Sequence, residues 1–229
     1  AIQEVNGGAG AGTIGFAVAS IPSGSATGLP TITKPVTIDG GAARTEILGH
    51  VNGFDVTLVL TANGNVVKRL VLGHGIRFDG GDGNLLEDCY VGTDPLGTTG
   101  TGGAGVQFKD SANNTIRHNV ISGNGYNFYG LQIVGPTSTG NSVVGNFIGT
   151  DPSGTINVSN GINSAGVHVF NAPDNTIGGP AAEDANVISG TGSGVVIFGA
   201  TATGNVVENN LIGPDVSGTT ALEEFGGNG

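Results

Sequence analysis

The chain has 229 residues, 45 of them glycine, with seven Lys plus Arg against 18 Asp plus Glu and a formal net charge of -11 at pH 7. That charge excludes nucleic acid, whose phosphates need a basic surface, and argues equally against anionic membranes. No apolar run approaches the ~20 residues that cross a bilayer, so no membrane insertion is expected, and the lone Cys89 excludes an intrachain disulfide.

From the N-terminus, Ala1-Ile2-Gln3-Glu4-Val5-Asn6 has weak helical character and a Gly-rich link follows, leading to a predicted strand, Thr13 to Val18. Three further apolar runs, Leu29 to Gly40, Thr45 to Leu48 and Val56 to Leu60, read as irregular opening rungs over residues 1–60. From Asn65 the pattern tightens into two parallel columns over residues 61–216. Asn65, Asn84, Asn114, Asn141, Asn175 and Asn205 are each followed two residues later by Val, Leu or Ile. Leu70, Cys89, Asn119, Asn146, Asn186 and Asn210 are followed in the same way. The period drifts between roughly 19 and 34 residues, the range in which self-similarity signals stacked supersecondary units. A third column, Gly75, Gly105, Gly130, Gly166 and Gly194, opens short strands such as Val106-Gln107-Phe108.

Three strand pieces per repeat, each with alternating apolar residues and bounded by Gly or Asn, are too short for helices and suit strands with one buried face. Asn and Gly tolerate the left-handed backbone of tight corners, and Asn stacked on Asn can bond its amide to the turns above and below. The prediction is an all-β, single-chain right-handed parallel β-helix of roughly 8–9 rungs, forming one domain over 1–229. Gly92-Thr93-Asp94-Pro95-Leu96-Gly97, Gly149-Thr150-Asp151-Pro152-Ser153-Gly154 and Gly213-Pro214-Asp215-Val216-Ser217-Gly218 recur every second rung. Asp in such a turn is an ordinary turn former.

Lys68, Glu87 and Arg117 form an outward column of alternating sign, read as a surface ion-pair ladder of small energetic value. Val71, Tyr90, Val120, Phe147, Val187 and Leu211 form an apolar outward column, and another ends in Val134, Phe170 and Phe198. An apolar stripe marks an interface unless loops cover it, and the segments after Asp94 and Asp151 are placed to do so for part of its length. Cys89 stands in an Asn ladder position and is expected to be a buried, unreactive thiol. Asn124 is expected to be exposed.

The chain resembles the right-handed parallel β-helix repeat proteins of bacterial and archaeal cell surfaces. The match is carried by Leu29 to Gly40, by Asn146-Phe147-Ile148-Gly149-Thr150-Asp151 and by Asn175-Thr176-Ile177-Gly178-Gly179. In that family a short capping helix ending in a Leu-Arg-Glu-Ala-Ile motif often precedes these elements, and Ala1 corresponds to its middle. The resemblance implies an extracellular or cell-surface structural protein. Residues 217–229 read as an uncapped loop leading toward a further strand, so the expected partner is another copy of the chain, stacked head to tail in a filament through the rungs Ile2 to Val18 and Leu211 to Phe225.

Parallel β-helices also include polysaccharide lyases and hydrolases, so an enzyme is the alternative. Its best candidates are His74, Arg77, Asp79, Asp82, Lys109 and His118, with Glu87, Asp88, Asp110 and Arg117 nearby. Lyase chemistry needs a carboxylate cluster and a base on one face, and hydrolysis needs carboxylates on both sides of the bond. Gly73-His74-Gly75 lacks the paired aspartates that would complete a hydrolase motif, so no catalytic residue, metal or cofactor is assigned. A third reading is passive polysaccharide contact, for which Tyr90, Tyr126 and Tyr129 are the tyrosine platforms.

Overall fold

The computed structural model describes residues 2–8, 12–21, 29–48, 56–125, 128–161 and 164–222. Its strands form three parallel sheets wound as a right-handed β-helix, each chain segment stepping from the first sheet to the second to the third and back. The first sheet has eight strands, from Gly12–Gly15 and Val36–Asp39 to Thr176–Gly178 and Val206–Glu208. The second also has eight, from Ser20–Ile21 to Leu211–Ile212, and the third has six, from Leu58–Leu60 to Ser193–Phe198. The coil makes about seven turns, short of the eight to nine expected. In the opening 60 residues Val36–Asp39, Thr45–Ile47 and Leu58–Leu60 form three sides of one turn.

Strand registers match the sequence columns. Val67, Leu86, Ile116, Val143, Ile177 and Val207 pair along the first sheet, and Ile76, Val106, Leu131, Val167 and Val195 along the third. These side chains point inward and, apart from the last turn, are almost wholly buried; Phe78 stacks on Phe108 at 4.9 Å inside. Because each turn buries the same few aliphatic positions, the core is a narrow continuous column and no turn has an adequate core alone.

Both Asn ladders form. The Asn114 Oδ1 accepts the backbone N–H of Asn84 and its amide Nδ2, both at 2.9 Å, and Asn141 Oδ1 does the same for Asn114. Asn119, Asn146, Asn186 and Asn210 repeat the arrangement at the next corner. The corners themselves divide the work differently from expectation. Left-handed backbone falls on the residue before the ladder position: Gly64, Gly83, Asn113, Gly140, Asp174 and Gly204 on one ladder, and Arg69, Asp88, His118, Gly145 and Asn209 on the other. The ladder Asn keeps an ordinary backbone and supplies hydrogen bonds, while its neighbour takes the reversed φ that turns the strand.

Cys89 substitutes for Asn with a weaker acceptor. Its sulfur receives the Leu70 N–H at 3.5 Å, and its own N–H donates to Asn119 Oδ1 at 2.9 Å. Burial pushes the thiol up to about 12. Cys89→Asn should be tolerated and raise the melting temperature, since Oδ1 would accept from Leu70 while Nδ2 reaches Val67 and Glu87 carbonyls now facing sulfur. Thermal scans of the two proteins check this, and the native thiol should resist a disulfide reagent until the chain unfolds.

Asn124 corrects a second expectation. It is buried, and its Nδ2 donates to Asn160 Oδ1 at 2.7 Å while Asn160 Nδ2 donates to the Ile121 carbonyl. A short third rank of Asn therefore sits at the corner leading into the third sheet. At the N-terminus, helix Ile2–Gly7 packs Ile2 against the core and is tied down by Asn6, which bonds the Thr31 carbonyl and the Thr33 N–H.

Candidate functional site on the outer face of the third sheet

Three of the six enzyme candidates come together. Lys109 pairs in register with Asp79, and the Asp79 carboxylate lies 3.6 Å from both Lys109 Nζ and Arg77 Nε on the outside of the third sheet. The others are elsewhere. His74 stands between the second and third sheets, its N–H on Thr57 Oγ1 and its ring nitrogen on the Leu48 carbonyl. Asp82 lies at the opposite end of the third sheet and accepts the Ala112 N–H at 2.7 Å. His118 occupies a left-handed corner with φ 54, one residue before Asn119. Glu87 and Arg117 are on the first sheet, joined at 2.6 Å, while Asp39 takes Lys68 at 3.7 Å and Arg69. The expected ladder of Lys68, Glu87 and Arg117 is realised as separate pairs, Glu87 with Arg117 and Lys68 with Asp39 one turn earlier, and such partly exposed pairs contribute little each. Among the described residues no three His, Cys, Asp or Glu gather as a metal site requires.

The apolar stripe on the second sheet is largely roofed. The loop after Asp94 brings Gly97 onto the Tyr90 ring and Pro152, and the loop after Asp151 brings Gly154 onto the Phe147 ring and Val216. A methyl at Gly154 would stand 2.6 Å from Phe147 Cε1 and 2.8 Å from Val216 Cβ. The loops also touch one another, Val216 N–H donating to the Gly154 carbonyl at 2.9 Å. Arg44 adds its guanidinium 4.4 Å from the Tyr90 ring centre. Val71, Val120 and Val187 of the same column are buried. Asp151 holds its loop closed by accepting from Thr155 N–H, Ile156 N–H and Ser153 Oγ. Burial pushes that carboxyl up, and these bonds outweigh it, leaving its pKa below the ordinary value.

The third-sheet outer column ends in aromatic side chains. Val134 pairs with Phe170 and Phe170 with Phe198, their rings 4.6 Å apart. One column over, Gln132 pairs with His168, whose ring lies 4.1 Å from and nearly parallel to that of Tyr129. His168 is buried, stands 5.3 Å from the Phe198 ring, and its Nδ1 is 3.4 Å from Gln132 Nε2. In the sequence Phe170 and Phe198 share one outward column and Tyr129 stands apart as a tyrosine platform, while His168 was not singled out. Its place two residues before Phe170, on the same face of a strand, was the available signal. Tyr126 lies outside the described residues.

Burial holds His168 below the ordinary value of 6.5 and therefore neutral. A base with a depressed folded pKa takes up its proton more readily when unfolded, so its stabilising contribution is present above the unfolded pKa and fades as pH falls through it. The urea midpoint should drop between pH 7.5 and pH 5, and His168→Phe should flatten that part of the profile. An unchanged slope in the variant would show that other groups set it.

Compared with protein-family models, with curated proteins and with solved structures, the chain matches none. What it can do is accordingly read from its own geometry.

Proposed function

We propose that this chain is a structural β-helix of an extracellular or cell-surface protein, a stiff rod whose work is to hold its faces apart and in register. The observation that supports this reading is where the polar side chains are spent. The buried Asn residues bond along the rod axis, turn to turn, and the candidate catalytic charges bond to one another or to the backbone around them. Such pairing fixes architecture.

Head-to-tail association of copies belongs to the same proposal. At the edge formed by Val206–Glu208 and Leu211–Ile212, the core-column residues Val207 and Ile212 are 41% and 46% exposed, whereas Ile177 and Ile188 one turn earlier are fully buried. An added parallel turn would cover them and pair the strand edges. Helix Ile2–Gly7 lies against the opposite end, so a docking copy must fit beside it or displace it. Sedimentation and electron micrographs of the purified chain over a concentration series test this. Rods that lengthen with concentration are expected, and Ile212→Pro should stop growth without unfolding the other turns. Short monomers at every concentration contradict association, and release of unsaturated sugars from polyuronates would contradict the structural reading itself.

A further inference from the structure

We infer that two copies of the chain lock end to end through one corner of the coil. Val18 of one copy enters the apolar pocket that Pro180, Ala181, Ala182, Ala185, Asn209 and Leu211 form on the other. The inference rests on the head-to-tail association proposed above and adds the contact that fixes its register. Among the described residues, the exposed large apolar side chains other than Leu96 and Ile156 all lie in the first or the last turn. Val18 and Leu29 are in the first, and Phe198, Val206, Val207, Ile212 and Val216 in the last.

The pocket belongs to the corner between the first and second sheets. There an insertion with the short 3-10 turn Ala182–Asp184 joins Thr176–Gly178 to Val187–Ile188. One turn on, the same corner is only Asn209-Asn210, and the Asn209 amide donates to the Gly179 carbonyl at 2.8 Å. An apolar recess of about 430 Å³ is left between insertion and corner. At the first turn this corner is longer: Phe16 to Ala19 connect Gly12–Gly15 to Ser20–Ile21. Phe16 packs against the core, and Val18 is 55% exposed between exposed Ala17 and Ala19.

Continuing the coil from one copy into the next places Ile14 on Val207 and Ile21 on Ile212, core residue on core residue, as Ile14 already lies on Ile38 and Ile21 on Ile47. A slip of one residue would turn the aliphatic columns outward. In that register the Phe16 to Ala19 corner sits on Asn209-Asn210, beside the pocket. Helix Ile2–Gly7 leaves this corner clear, because Asn6 ties it on either side of Ile32, which pairs with Leu60 of the third sheet. A polar ligand finds little to bind, since the lining is apolar but for Asn209, whose amide is already engaged. A second copy brings an apolar corner together with the strand edges that hold it in place.

Disulfide trapping on the whole chain tests the lock. Carrying Val18→Cys and Ala182→Cys together, the concentrated protein treated with diamide should give a series of covalent multimers on a non-reducing gel, with the buried Cys89 taking no part. Val18→Cys with Leu96→Cys, on a distant exposed loop, should give none. Ala182→Cys with Phe225→Cys asks whether later residues of the same copy fill the pocket, and a cross-link within single chains there would overturn the lock. Val18→Asp should raise the concentration at which rods form about tenfold or more, the effect of losing one buried valine, while Val18→Ile should not. Because Val18 is exposed, the melting temperature of the unassociated chain should be the same in both variants, which separates lost docking from lost fold. Rods that form without the Val18 to Ala182 cross-link, or at an unchanged concentration with Val18→Asp, overturn the lock and leave head-to-tail stacking standing. Chains that stay monomeric at every concentration overturn both.

Discussion

Asn146→Ala is expected to destabilise the chain by about 3–5 kcal/mol, one of the largest effects of any single side-chain truncation here. Asn146 sits in the middle of its ladder. Its Oδ1 accepts from Asn119 N–H and Nδ2, both at 3.0 Å, and its Nδ2 donates to the Ile116 and Val144 carbonyls and to Asn186 Oδ1. Truncation leaves the buried Asn119 N–H without its acceptor and strips one bond each from Asn119 Nδ2, Asn186 Oδ1 and the Ile116 and Val144 carbonyls, of which Asn119 Nδ2, Asn186 Oδ1 and the Val144 carbonyl keep other partners. An unpaired buried group costs about 1–3 kcal/mol, and the lost bonds and the void add to it. Asn119→Ala should behave similarly. Asn124→Ala should cost less, though it too is buried, because its Oδ1 already lacks a partner and fewer bonds are lost. Urea denaturation of the three variants gives the order, and equal midpoints would refute the ladder as a source of stability.

Gly105→Ala is expected to cost about as much, 3–5 kcal/mol, for a reason that involves no lost side chain. Gly105 has φ +69, and a methyl there would overlap the carbonyl oxygens of Gly130 and Tyr129 in the next turn. Those turns are locked together: Ile76 N–H donates to the Gly105 carbonyl and Val106 N–H to the Gly130 carbonyl, each at 2.9 Å. Relief of the overlap therefore needs the backbones to separate and the bonds to lengthen. Gly102→Ala is the control, since φ is +81 but nothing lies within 4 Å of the added methyl. It should show the backbone strain alone, about 1 kcal/mol. If the two variants melt together, close approach of turns is not what the glycine column provides.

The regular part of the coil was legible because its signal repeats. A β-helix buries the same positions turn after turn, so Val67, Leu86, Ile116, Val143 and Ile177 announce a single column even though the connecting lengths vary. Opening rungs were less legible for the converse reason: before Asn65 the ladder has no Asn, and Val36 N–H simply donates to the Asn65 side chain from the turn before. Asn124 was misplaced because Asn-Gly reads locally as an exposed turn, and only the fold puts Asn160 beside it, 36 residues on. The candidate charge cluster dissolved because sequence neighbours such as Asp79 and Asp82 lie on either side of a corner, and a corner sends adjacent residues to different faces. By contrast, the aromatic group at Tyr129, His168 and Phe198 spans three turns and could be assembled only once register was known.

Amide hydrogen exchange, followed residue by residue on the intact chain, tests most directly whether the rod is held by its axial ladders. The N–H groups of Asn84, Asn114, Asn119, Asn141 and Asn146 each donate to a side-chain oxygen one turn on. If those bonds carry the coil, these amides should exchange only through global unfolding, as slowly as the most protected strand amides, while Leu96 at its loop tip, 73% exposed, exchanges freely. Ladder amides that exchange as fast as Leu96 under native conditions would contradict it.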